Sequence, residues 1–274
     1  MKNRKFYEIN SAQELVSYLK EPQRINSVKY FNKYMGLDTL KIIFETEKLL
    51  INNPQNMNDL YEYRLFDNCA DWSKICFASF ITQSTESMAM WSMYAQPWTK
   101  GVMISIPQEA MKKLINTTKK LISAKFDNKL ERLVPGDEII PADKNLSLAR
   151  VAYYNENSIS CTGRDDRNKN FKNAYEIPEL AGYIKDSAWD YEKEVRLRVD
   201  IPKEYESNAV FIELSKDFLE QIIITTGPRF EGNVLTILPK EYRHKVKIET
   251  SKFKEKIAWI PCDSCIYKNN NQSL

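Results

Sequence analysis

The sequence predicts an α+β fold, one domain over residues 1–274 built on a mixed, mainly antiparallel sheet flanked by helices. Three observations lead there. Val195, Leu197, Val199 and Ile201 alternate with Glu194, Arg196, Arg198 and Asp200, the period of a strand with one apolar face. Candidate strands and helices succeed one another without the regular repeat of βαβ units. The chain has only 7 glycines, and neither a P-loop nor a dinucleotide fingerprint occurs, so the doubly wound nucleotide folds lose their signature. Apolar residues at 43 % and charged residues at 28 % exclude wholesale disorder.

In chain order, residues 11–20 read as a short helix. Asp38 can cap a helix through Leu40, Ile43, Phe44 and Leu50 that ends before Asn52-Asn53-Pro54. Residues 75–80 are strand-like. Ser84 or Thr85 can open a helix that places Met88, Trp91 and Ala95 on one face, with Pro97 closing it. Residues 101–106 alternate as a strand, and Pro107 starts a helix through Leu114 towards Ile122. Residues 127–146 are polar around Pro135-Gly136 and read as a loop. A strand at 148–154, a mobile excursion at about 155–170 and a helix at 175–186 precede the charged strand, which is expected from about 192 to 201 in a central or next-to-central position. Strands at 209–214 and 221–226, a helix at 232–242 and short strands at 246–250 and 257–260 complete the chain.

Charge and composition narrow the function. With 40 basic and 37 acidic residues, the net charge of +3 is too balanced for nucleic-acid binding by bulk attraction. The six lysines between Lys112 and Lys129 read as a solvated helix side, with a phosphate-binding patch as the other reading. No window approaches the roughly 20 apolar residues of a membrane span, and the start, Met1-Lys2-Asn3-Arg4-Lys5, lacks the apolar run of a secretory leader. No membrane partner is expected. Five widely spaced cysteines suit reduced thiols in a cytoplasmic protein, and Cys262 with Cys265 forms a lone CxxC without partners for zinc. With His244 as the single histidine, a His-based triad or multi-His metal site has no residues to build it, and no metal cofactor is expected.

Four separated motifs resemble a bacterial family known as domain of unknown function 2971. They are Lys33-Tyr34; the turn from Pro54 through Asn58 and Asp59 to Leu60; Cys76-Phe77-Ala78-Ser79 followed by Met90-Trp91-Ser92-Met93-Tyr94-Ala95 and Gly101; and the run Lys185, Trp189, Tyr191, Glu192, Glu194, Arg196. The resemblance covers roughly residues 28–230. Met93 stands where the family often has His, and Leu60 replaces the Pro after Asn-Asp. The motif order in turn looks like that of ADP-ribosyltransferases: an early basic or polar residue on a strand, a middle strand–helix motif with Ser or Tyr, and a late Glu-x-Glu on a strand.

That likeness implies an enzyme that consumes NAD. Cleaving the nicotinamide–ribose bond develops an oxocarbenium-like cation, which a carboxylate beneath the ribose stabilises. A second carboxylate nearby can orient or deprotonate the acceptor. The expected catalytic pair is Glu194 and Glu192. Lys33, Tyr34, Tyr94, Trp91, Arg196 and Asn58 are the expected substrate contacts, supplying an aromatic surface and a cation. Each also has a plainer reading: Trp91 as core packing, Asn58 as a turn or cap, and Arg196 with Lys185 as structural partners of the glutamates. The partners implied are NAD or a related nucleotide, a macromolecular acceptor, and a partner protein in a defence operon for a toxin-like antiphage effector. Two other classes stay open: a metal-dependent nuclease using Asp59, Glu192, Glu194 and a lysine, and a non-enzymatic ligand- or partner-binding sensor.

Overall fold

The computed structural model describes residues 9–21, 25–56, 71–143, 145–155, 158–161, 169–170, 174–254 and 256. The fold is α+β. Its centre is a seven-stranded sheet of β1 (Tyr30–Gly36), β3 (Ile75–Ile81), β4 (Gly101–Pro107), β7 (Leu146–Arg150), β12 (Glu194–Asp200), β14 (Ile223–Thr226) and β15 (Lys247–Thr250). The spatial order is β15-β14-β4-β1-β3-β12-β7, antiparallel except between β14 and β15. The charged strand β12 is therefore one in from the edge rather than central.

One face of this sheet, carrying Phe31, Ala78, Phe80, Ile104, Val195, Leu197 and Val199, forms the main core. It packs against a second sheet, ordered β2-β13-β5-β6, of β2 (Lys48–Ile51), β5 (Lys120–Asp127), β6 (Arg132–Pro141) and β13 (Val210–Glu213). Helices α2 (Leu37–Thr46), α4 (Gln108–Thr117) and α5 (Lys216–Glu220) add Leu40, Met111 and Leu219 to that core. The other face is covered by α1 (Ala12–Leu19), α3 (Met88–Tyr94) and a third sheet of β8 (Ala152–Asn155), β9 (Ser158–Cys161), β10 (Lys169–Asn170) and β11 (Ile184–Asp186).

Several elements depart from the sequence reading for identifiable reasons. Helix α2 stops at Thr46 because Glu47 turns left-handed at φ 53°, so Leu49 and Leu50 enter a strand. Helix α3 opens at Ser87, whose hydroxyl accepts the Met90 amide, and not at Ser84 or Thr85. Helix α4 ends before Ile122 because the hydroxyls of Thr117 and Thr118 turn back onto the carbonyls of Lys113 and Leu114. Residues 127–146 hold a strand and not a loop. Asp127 accepts the amides of Lys129 and Leu130 to close a hairpin, and Pro135-Gly136 lies at a bulge where the register shifts between Ile122 and Ala124. The expected helix at 175–186 is instead two 3₁₀ turns, at Ala174–Glu176 and Pro178–Leu180, leading into β11. Pro178 and Gly182 break the pattern. The segment 232–242 likewise forms two 3₁₀ turns. In the expected excursion, β9 and β10 pair with each other, and the rest of 156–168 lies outside the described residues, as do 257–260.

Candidate active site

Strand β1 pairs with β4 over its whole length but with β3 only at Asn32 and Ile81, so the central sheet splits between β1 and β3. Beyond the split, β3 and β12 pair from Ile75/Asp200 to Ile81/Glu194. The three strands bearing the early, middle and late motifs are thus neighbours in space.

The late motif does not run straight. A 3₁₀ helix at Ser187–Glu192 ends at Lys193, which is left-handed at φ 49°, and the chain then enters β12. Glu192 is therefore a helix-end residue and not a strand neighbour of Glu194 with period two. The kink nonetheless brings the two carboxylates to one cation. Lys185 Nζ lies 2.8 Å from Glu192 Oε2 and 3.7 Å from Glu194 Oε2. Lys185 comes from β11, which pairs in parallel with β8.

The charged face of β12 is not solvated: Glu192, Glu194, Arg196, Arg198 and Lys185 are all buried. Their polar atoms are satisfied by one another. Arg196 grips Glu194 in a two-pronged contact, Nε to Oε1 at 2.7 Å and Nη2 to Oε2 at 3.1 Å, and Nη1 donates to the Gly182 carbonyl at 3.1 Å. Ser79 also hydrogen-bonds the Glu194 carboxylate, and the Tyr153 hydroxyl accepts the Glu194 amide at 2.8 Å. Arg198 donates to Asp200 and to the Ala181 carbonyl. Gly182, at φ 74°, is required here, since a Cβ would lie 2.6 Å from Arg198 Nη1. The guanidinium of Arg196 stacks 4.0 Å over Phe77, and the ammonium of Lys185 sits 4.5 Å from the Trp189 ring.

These surroundings push the two carboxylates apart. Burial raises the Glu194 pKa, but Arg196 and Lys185 outweigh it and hold the group at about 2. Glu192 moves the other way. Burial and the charge of Glu194 raise it above the usual carboxylate range, against the opposing pull of Lys185. The Tyr94 hydroxyl donates to Glu192 Oε1 at 2.6 Å, and burial together with Glu192 drives the phenol's own pKa upward. Tyr94 is half-buried, as are Tyr191 and Trp189, whose rings lie 6.1 Å apart. Two of these rings touch the buried charges, Tyr94 at Glu192 and Trp189 at Lys185.

The other expected residues divide. Tyr34 lies on the same sheet face as Glu194. It is buried, stacks edge-on against Trp91 at 4.8 Å, and its hydroxyl accepts the Ser87 amide at 3.2 Å. Trp91 is 1 % exposed and donates to Glu86 at 3.0 Å, so its surroundings are those of a core anchor. Lys33 leaves β1 on the opposite face, beside Ile104. Its ammonium occupies the split, donating to the Ser79 carbonyl at 3.2 Å, and burial lowers its pKa while Glu194 raises it. Asn58, with Asp59, lies outside the described residues. Lys185, Ser79 and Tyr153 are the contacts the sequence did not single out as site residues. Lys185 could have been found from its fixed distance to Trp189 and Glu192 in the late motif. Tyr153 had no such signal.

Among the described residues no group of three or more His, Cys, Asp and Glu gathers to hold a metal ion. Cys76 is a buried thiol that donates to the Asn208 carbonyl, and burial pushes its pKa to about 12, which leaves it unreactive. No helix among the described residues is long and apolar enough to cross a membrane.

Comparison with known proteins adds one match. A family described as a protein of unknown function, DUF2971, matches residues 90–197. That range begins in α3 and ends in β12, so it includes Trp91, Tyr94, Lys185, Glu192, Glu194 and Arg196. The chain resembles this family over that range, which is narrower than the 28–230 the motifs suggested. Neither the curated proteins nor the solved structures compared with the chain gave a match.

Proposed function

We propose that the protein is an NAD-consuming enzyme of ADP-ribosyltransferase type, with Glu194 and Glu192 as its catalytic pair. The observation that carries the reading is the divergence of these two carboxylates around Lys185: one is held ionised, the other has its proton affinity raised. Environments that push two titratable groups apart divide acid, base and electrostatic roles between them. The adjacency of β1, β3 and β12 supports the same reading, since the motif order requires those strands to meet.

In this scheme the bond that breaks joins the ribose C1′ to the nicotinamide nitrogen. The electron pair leaves with nicotinamide, and the fixed negative charge of Glu194 stabilises the ribosyl cation. Glu192, hydrogen-bonded to Tyr94, accepts the proton of the incoming acceptor, whether water or a macromolecular nucleophile. Trp189 and Tyr191 offer the nicotinamide an aromatic surface. Arg196 and Lys185 act by positioning the carboxylates, because Glu194 and the Gly182 carbonyl engage the Arg196 fork and Glu192 holds Lys185.

The test is incubation of the purified protein with NAD labelled in the ADP-ribose moiety, following nicotinamide release and label transfer. Turnover by the wild type that is lost in Glu194→Gln, at an equal folded fraction, supports the reading. Wild-type protein that neither binds nor consumes NAD rejects it.

A further inference from the structure

A cavity of about 600 Å³ opens on the sheet face opposite the carboxylate pair. It lies between α2, β2, the split edge of β3 and the β5–β6 hairpin. Its walls are apolar, from Ile42, Ile43, Leu50, Leu133 and Phe211 among others, and Phe126 stands 60 % exposed on the hairpin. Among the described residues its polar lining is one-sided: Lys33, Lys48 and Arg132 contribute cations, and no carboxylate lines it.

Surface lysines such as Lys113, Lys119, Lys125 and Lys245 each sit within 4 Å of an acidic side chain. Lys33 and Lys48 spend a hydrogen bond on backbone carbonyls of Ser79 and Thr46. Among the described residues, neither they nor Arg132 makes an ion pair. Lys48 and Arg132, unpaired with acidic side chains among the described residues, create a positive potential beside an apolar hollow whose low-dielectric walls strengthen it.

We propose that this cavity binds a small amphipathic anion, a flat aromatic or aliphatic body seated against Leu50, Leu133 and Phe211 with its carboxylate, sulfonate or phosphate held by Lys48 and Arg132. Its volume falls in the range of small-molecule sites, and apolar walls with a few convergent polar groups are the usual makeup of such sites. Arg132 offers a planar fork suited to an oxyanion, and Lys48 a point charge. The site is separate from the proposed NAD chemistry, because strand alternation sends Glu194 and Lys33 to opposite faces.

The experiment uses a matched pair of probes, 1-anilinonaphthalene-8-sulfonate and its uncharged analogue N-phenyl-1-naphthylamine, each titrated into the full-length protein by fluorescence. The expected result is saturable one-site binding of the sulfonate, at least about tenfold tighter than the neutral probe, the scale of one charge-assisted contact. Arg132→Glu and Lys48→Glu should each weaken the sulfonate by about tenfold or more, leave the neutral probe unchanged, and keep the wild-type melting curve. Lys113→Glu, at a distant surface, should change neither. Equal affinity for the two probes on the wild type, non-saturating binding, or sulfonate binding indifferent to both charge reversals would overturn the proposal. The probe comparison on the wild type stands even if a variant fails to fold, and NAD turnover enters none of these readouts.

Discussion

The two faces of β12 are equally dry and chemically opposite. Val195, Leu197 and Val199 on one side are fully buried, and Glu194 and Arg196 on the other are 1 % and 2 % exposed. The apolar face needs only neighbours of fitting volume, supplied by the second sheet. The charged face needs every donor and acceptor matched, because two desolvated charges cost several kcal/mol each before their attraction offsets it. A well-packed apolar replacement of such a network is often no less stable. Stability alone thus gives little reason for a buried set of Glu192, Glu194, Lys185 and Arg196, and the difference between the faces points to chemistry on one of them.

Single substitutions on β12 should expose that difference. Arg196→Ala leaves Glu194 as an uncompensated buried charge and should cost about 3–5 kcal/mol in denaturant unfolding. The sequence names Arg196 as a structural partner of the glutamates, and its burial makes that partnership costly to break. Leu197→Ala, on the other face, should cost about 2–5 kcal/mol by transfer and cavity terms. The two are separated by pH: the Arg196→Ala loss should shrink when Glu194 is protonated in acid, and the Leu197→Ala loss should not. If the Arg196→Ala loss is the same at both ends of the pH range, the ion pair does not hold Glu194 in the way described.

Acid alone should weaken the charged face. Glu194 is lowered from 4.5 to about 2 in the folded protein, so its stabilising contribution is present above the unfolded value. It is lost as pH falls through the folded one. That is on the order of 3 kcal/mol, lost between about pH 4.5 and pH 2. Unfolding free energy measured across that interval should fall in the wild type, and the fall should be smaller in Glu194→Gln.

Glu192 offers the sharpest separation of structure from chemistry. Glu192→Gln keeps the side chain's shape but removes the charge that partners buried Lys185, so it should cost about 1–3 kcal/mol of stability while transfer to the acceptor falls by about 10²–10⁴. A variant with wild-type transfer would return Glu192 to a purely structural role. The smallest effect is expected at the kink. Lys193 is left-handed without being glycine, a conformation costing about 1–2 kcal/mol, so Lys193→Gly should be neutral or slightly stabilising in a thermal melt.

What the sequence disclosed follows the same divide. The apolar alternation of 195–201 announced both the strand and its core face, because a period of two is a local property. The partners of the charged face were not local. Glu192 and Glu194 were paired as strand neighbours, whereas a left-handed Lys193 and the remote Lys185 bring them together. Lys33 and Tyr34 are adjacent on β1 and must face opposite ways, and which of them shares a face with Glu194 depends on the sheet order. Tyr34 does, and Lys33 faces the cavity. The hairpin at 120–141 was hidden because its bulge is made from Pro135-Gly136, residues that otherwise signal a turn.

The central claim is that the carboxylate pair acts on NAD, and the most direct measurement is the initial rate of nicotinamide release from NAD by wild type and Glu194→Gln at matched folded fractions. The expected result is measurable release by the wild type and a rate lower by about 10²–10³ in the variant, the usual loss for a positioned electrostatic group. Equal rates in the two proteins, or no release by the folded wild type with water, protein or nucleic acid offered as acceptor, would contradict it.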